Sequence, residues 1–247
     1  MKKRLNVFLL LGILVLLIHP ASAHETEQAY SSGSFGIYPI SQMQAFAYGS
    51  LAFLAVVGVI LLFHKKMKEP AKKLFYYILA LICAVVTLYL ALTTIHLNLI
   101  SHTKGPVRWH ADYEVWVCGK ELKLAMPAGM SGKQGTALVH SHYDNRIHVE
   151  GVLLDIKQAS LDTFFDAIGG SLSSGSMQFP TDDGLVIVSN GEKCDSGAGL
   201  LYVFVNGFLV SNPQDYTISP YEKIPPGDKI KIIFTDQPIE EINQNIK

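Results

Sequence analysis

The stretch Val139-His140-Ser141-His142-Tyr143-Asp144-Asn145-Arg146-Ile147-His148-Val149-Glu150-Gly151 reads as two short extended runs around a polar turn. Asp144 and Asn145 suit the turn because their side chains tolerate tight backbone geometry. Side chains alternate faces along a strand, so His140 and His142 share one face of the first run, and His148 and Glu150 share one face of the second. Loop length decides whether those faces coincide. A two-residue turn at Asp144-Asn145 pairs Tyr143 with Arg146, sets His148 opposite Ser141 and splits the set. A three- or five-residue loop puts all four side chains on one side. Three imidazoles and a carboxylate gathered in that way suit zinc, copper or non-haem iron. The competing reading is an ordinary polar surface hairpin that carries histidines.

Upstream, residues 108–117 alternate clearly. Trp109, Ala111, Tyr113, Val115 and Val117 fall on one face; Arg108, His110, Asp112 and Glu114 fall on the other. This pattern predicts a half-buried strand, turned by Cys118-Gly119-Lys120 into a second strand over 121–126. His110 becomes a fourth histidine of the site if this strand neighbours the histidine hairpin. Asp112 and Glu114 read by themselves as a solvated strand face.

Downstream, residues 160–169 predict a short helix. Ser160 is a good N-cap, Asp162 favours the positive helix end, Phe164 and Phe165 face a core, and Gly169 can take the left-handed terminal position. Residues 170–175 read as a flexible loop and 184–189 as a strand. Residues 200–205 form an apolar strand turned by Asn206-Gly207, a strong hairpin signal, into 208–210. Pro225-Pro226-Gly227-Asp228 leads into a closing strand over 229–234. A strand hairpin, a helix, then further strands give a β-rich α+β domain over 107–236, resembling a β-grasp with the histidine hairpin inserted. A small β-sandwich is the alternative. From Pro238 the charged tail, 237–247, reads as frayed.

The chain of 247 residues is 49% hydrophobic with a formal net charge of −1. Near-neutral charge offers no electrostatic footprint for nucleic acid. The apolar excess lies in three blocks near the N-terminus. Lys2-Lys3-Arg4, an apolar run over 7–18 and Ala21-Ser22-Ala23 together describe a secretory signal peptide, 1–23. An uncleaved anchor is the alternative. Cleavage after Ala23 would leave His24 at the N-terminus, where its amine and ring can bind copper together. Residues 24–44 form a short outer segment. Residues 45–63 and 74–100 are each long enough for a transmembrane helix. The loop between them, 64–73, holds five lysines and one acid, and excess lysine stays cytoplasmic. The two-helix transmembrane hairpin then has both ends outside, and a linker at 101–106 leads into an extracytoplasmic domain at the plasma membrane. Signal peptide and lysine loop give this orientation independently. Near the outer end of the second helix lie Thr93, Thr94, His96 and Asn98, where His96 can reach interfacial water.

Cys83 falls in mid-helix and reads as a small buried apolar residue. Cys118 and Cys194 lie in the exported domain, where a disulfide is permitted, and closing a loop of that length stabilises by roughly 4 kcal/mol on a chain-entropy argument. Thiolate metal ligation is the alternative for this pair.

Trp109-His110-Ala111-Asp112, His140-x-His142 and Ile147-His148-Val149-Glu150 together resemble a group of poorly characterised membrane-anchored proteins of archaea and some bacteria. The resemblance covers about the first half of the exported domain, and implies that His110, His140, His142 and His148 belong to one constellation. It brings no activity with it. A comparison with cupins fails, because their glutamate follows the second histidine more closely than Glu150 does.

Three functions fit these residues. The first is a membrane-tethered protein binding copper or zinc through His110, His140, His142 and His148, with Glu150 as ligand or orienter. Copper would also accept Met126 or Met130. The second is a metalloenzyme using the same site with Glu150 as general base. No nucleophile elbow, phosphate-cradling glycine loop or zinc-protease helix names a substrate. The third is a non-catalytic envelope interaction module with a pH-sensitive histidine patch. The sequence names no protein partner.

Overall fold

The computed structural model describes residues 40–126, 132–194, 196–218 and 227–246. Residues 1–23, read as a signal peptide, and His24 and Met130 lie outside the described residues. Two helices come first, α1 (Gln42–Phe63) and α2 (Glu69–Ile100). Both are apolar and long enough to cross a membrane. At 1.5 Å per residue they run about 33 and 48 Å, against a hydrocarbon core of about 30 Å. Each begins earlier than its apolar run. Ser41 and Gln44 close a capping box on α1, and Pro70 pre-sets the first turn of α2.

Polar side chains clamp the hairpin at one end. Gln42 Nε2 donates to Thr93 Oγ1 at 3.0 Å and to Thr94 Oγ1 at 2.9 Å, and Tyr89 donates to the Ile40 carbonyl at 2.6 Å. Cys83 is exposed rather than buried, because two helices cannot cover each other all round.

The following domain is organised on β1 (Pro106–Val117), a central strand with partners on both edges. On one edge it runs parallel to β11 (Asp228–Thr235). On the other, its first half pairs antiparallel with β5 (Arg146–Val152) and its end pairs with β2 (Lys120–Leu122). Beyond β5 lie β4 (Val139–Ser141) and β3 (Gln134–Gly135); beyond β11 lie β9 (Leu200–Val205) and β10 (Phe208–Leu209). The turn into β10 uses Asn206 and Gly207 with φ of 52° and 83°, the left-handed pair that a tight hairpin needs. A second sheet holds β6 (Ser171–Leu172), β7 (Ser176–Thr181) and β8 (Gly184–Ser189). The segment read as a flexible loop is thus partly the β6–β7 hairpin.

The apolar face of β1 packs inward. Ala111, Tyr113 and Val115 are buried with Ile147 and Val149 of β5 and Ile230, Ile232 and Phe234 of β11. Over them lies α3 (Leu161–Ala167), started by Ser160 Oγ accepting from Thr163 N at 3.1 Å, with Phe164 and Phe165 in the core. Cys118 and Cys194 form a disulfide that ties the β1–β2 turn to the segment before β9 across 76 residues, so neither is a free thiolate. The chain ends in α4 (Ile239–Ile246) instead of a frayed tail, because Ile242 is buried. The domain is a mixed α+β sheet, and its polar face carries the histidines.

Candidate metal centre

The histidines occupy one row across three neighbouring strands. His110 of β1 is paired with His148 of β5, and His148 is paired on its other side with His140 of β4. Cross-strand partners point to the same face, so each ring stands beside that of its strand neighbour. The pairing of His140 with His148 centres the β4–β5 connection on Asp144, which is the odd loop register. Tyr143 and Asn145 make it with φ of 65° and 56°, and the Asn145 carbonyl accepts from Tyr113 N at 2.9 Å. His142, two residues beyond His140, returns to the same face just past the end of β4.

One ring nitrogen from each of His140, His142 and His148 lies within 4.8 Å of the other two. Ring centroids are 4.9 Å apart for His140–His142 and for His142–His148, with the rings nearly perpendicular. His140 and His148 are stacked almost parallel at 5.4 Å. A tetrahedral ion with bonds of about 2.0–2.1 Å sets its nitrogens roughly 3.3 Å apart, so closure asks for modest rotations. His142 is exposed and able to rotate, and the stacked rings of His140 and His148 would have to tilt toward the ion as well.

Two of the three rings are held from outside by the pattern that orients metal-binding imidazoles. His148 Nε2 donates to Asp144 Oδ2 at 3.0 Å, which leaves Nδ1 with the lone pair. That Nδ1 is buried and has no hydrogen-bond partner. His142 Nδ1 donates to the Gly132 carbonyl at 3.2 Å and leaves Nε2 for a ligand. His140 is fully buried, and both of its ring nitrogens lack partners. An orphaned buried polar atom costs about 1–3 kcal/mol, and an ion would satisfy one of these nitrogens.

Electrostatics keep the site ready for a cation. Burial, then the charges of Lys133 and His142, hold His140 down at about 4, so it stays neutral and its lone pair is available. Burial, the neighbouring His148 and two arginines also lower His110. Burial alone would raise Asp144, but its hydrogen bond to His148 wins and holds the carboxyl below its ordinary value.

The remaining residues read from sequence stand around this trio. His110 sits edge-on to His148 with centroids 4.9 Å apart, separated from His140 by the intervening strand. Glu150 is on the same face and pairs with Arg108 at 3.2 Å. Asp112 pairs with its strand partner Arg146 at 2.6 Å. Met126 is exposed, and its N–H donates to Asp182 at 2.7 Å. The orienting carboxylate, Asp144, reads in sequence only as a turn former. Nothing in the sequence singles out Gly132 or Gly135 for a place beside the site. Gly135 pairs with His140 at φ of 116°, and a Cβ there would lie 2.6 Å from the Val139 carbonyl and 2.9 Å from His140 Cα. Only a glycine lets β3 cross so closely behind the buried histidine.

Comparison with protein-family models, with curated proteins and with solved structures found no match for the chain.

Proposed function

We propose that this is a membrane-anchored protein that binds a transition metal outside the cytoplasm. His140, His142 and His148 are the ligands, and copper and zinc are the ions best suited to them. The observation that carries this reading is the convergence of three ring nitrogens within 4.8 Å on one face of the sheet. Three neutral imidazoles suit both ions, zinc in a tetrahedral set and copper in a more planar one. His110 and Glu150 complete the constellation as neighbours. His110 walls the row beside His148, and Glu150 adds negative charge that acts on both His110 and His140. The resemblance to exported Trp-His-Ala, His-x-His and Ile-His-Val-Glu domains belongs to the same proposal.

The lysine-rich connection between α1 and α2 supports an inward-facing loop, and with it a domain on the outer side of the plasma membrane. Parallel β1 and β11 at the sheet centre, with β5 and the β9–β10 hairpin outside them and α3 between, support a β-grasp-like architecture. Fold by itself assigns no function, so the site carries the reading.

The test is metal analysis of the full chain purified in detergent, beside a His140→Ala/His142→Ala double variant. The native chain should hold about one ion of copper or zinc, and the variant should hold none, as expected for loss of two ligands of three. Equal metal content in the two would end the reading.

A further inference from the structure

Resting on the metal reading above, we infer that the ion keeps a solvent-facing coordination position, filled by water or by a small exogenous anion and not by a fourth protein side chain. Among the described residues the structure brings together three donors, all imidazole nitrogens, which bind an ion only in their uncharged form. Zinc held by three protein ligands completes its tetrahedron with an outside ligand. Among the described residues, the carboxylates nearest the site are engaged elsewhere. Asp144 uses one oxygen on His148 and the other on the Arg146 N–H at 3.2 Å. Glu150 faces Arg108, and Asp112 faces Arg146. His110 cannot easily reach across, because His148 stands between it and His140 in the strand order.

Burial says which side is open. His140 is 0% exposed and His148 9%, whereas His142 is exposed beyond the end of its strand. The free position therefore faces water on the His142 side. Charge says what it prefers. A divalent ion on three imidazole nitrogens keeps its full positive charge, because its ligands carry none, while Lys133 and Glu150 act on His140 with opposite signs. Such a position favours a small anion over a neutral ligand. The exchange is simple: one metal–water bond breaks, one metal–anion bond forms, and no electrons are transferred.

Cobalt(II) loaded into the metal-free full chain in detergent gives visible bands that report its coordination. Titration with azide should shift those bands and saturate at one azide per ion. His110→Ala should bind cobalt with the same spectrum and the same azide response. Bands that ignore azide would overturn the inference while leaving the metal reading intact. So would a changed spectrum in His110→Ala, which would put a fourth protein nitrogen on the ion. Failure to take up cobalt, or undiminished uptake by the His140→Ala/His142→Ala variant, would overturn the metal reading itself and this inference with it.

Discussion

His148 donates through Nε2 to Asp144 Oδ2 at 3.0 Å, four residues back across the turn, and this one bond fixes which nitrogen of His148 faces the site. The carboxylate is held below its ordinary pKa by that contact, so it is ionised and would strengthen the imidazole as a ligand.

Replacing Asp144 with Ala should therefore weaken metal binding by roughly 10–100-fold, the usual effect of losing an outer partner. Asp144→Asn keeps an acceptor oxygen but not the charge, and should fall between the two. Competition titration against a chelator measures this. Native affinity in both variants would mean that Asp144 serves the turn alone.

His140 should trade stability for binding. Its two unpartnered nitrogens are buried, so His140→Leu removes polar atoms that no group satisfies. The metal-free variant should be more stable than the metal-free native chain by about 1–3 kcal/mol. Added metal should raise the melting temperature of the native chain and leave that of the variant unchanged. Thermal unfolding with and without zinc checks both halves.

Acid should act on the same residue. Folding lowers the His140 pKa from 6.5 to about 4. Between those values the unfolded chain binds a proton that the folded chain refuses, so stability is full above about pH 6.5 and drains away as pH falls toward 4. The contribution at stake is about 3 kcal/mol, from roughly 1.4 kcal/mol per unit. Denaturant unfolding of metal-free protein across pH 4–7 should show this slope in the native chain, and a shallower one in His140→Leu.

Much of this architecture is legible in the sequence, and the failures have physical causes. The alternation of residues 108–117, the Ser160 cap and the Asn206-Gly207 turn each act locally, so local reading finds them. The register of the histidine hairpin is different. It depends on Tyr143 and Asn145 entering left-handed conformations, held by a bond from Tyr113 on another strand. Sequence leaves that choice open. Asp144 escapes notice because its reach to His148 exists only once the odd register is set. β7 is hidden by Pro180, which argues against a strand, although Met177 and Phe179 alternate inward. The tail carries its own signal, Ile239 and Ile242 three residues apart, and Ile242 is buried.

Gly135 should be as sensitive as a ligand without being one. It needs φ of 116° and approaches Val139 and His140 too closely for a Cβ. Gly135→Ala should lose about 1–3 kcal/mol of stability from backbone strain, and should also weaken metal binding by shifting β4. A variant that loses stability but binds metal natively would show that β3 supports the sheet without positioning His140.

Tyr113 should govern behaviour at the alkaline end. Its hydroxyl is buried beside Ser141 without a well-formed hydrogen bond, and burial pushes its pKa up to about 12 from 10. Here the folded value is the higher one. The unfolded chain gives up its proton first, so the tyrosine's contribution is intact below about pH 10 and is lost as pH rises toward 12. Tyr113→Phe keeps the ring against Phe164 and Phe179 and removes the polar atom. The variant should match or slightly exceed native stability at pH 7, because no made bond is lost. Its advantage should widen between pH 10 and 12, as read by denaturant midpoints, since the lysines titrate alike in both chains. A native chain whose alkaline loss equals that of the variant would place the Tyr113 hydroxyl in contact with water, and the packing of β1 against α3 would have to be looser than its burial indicates.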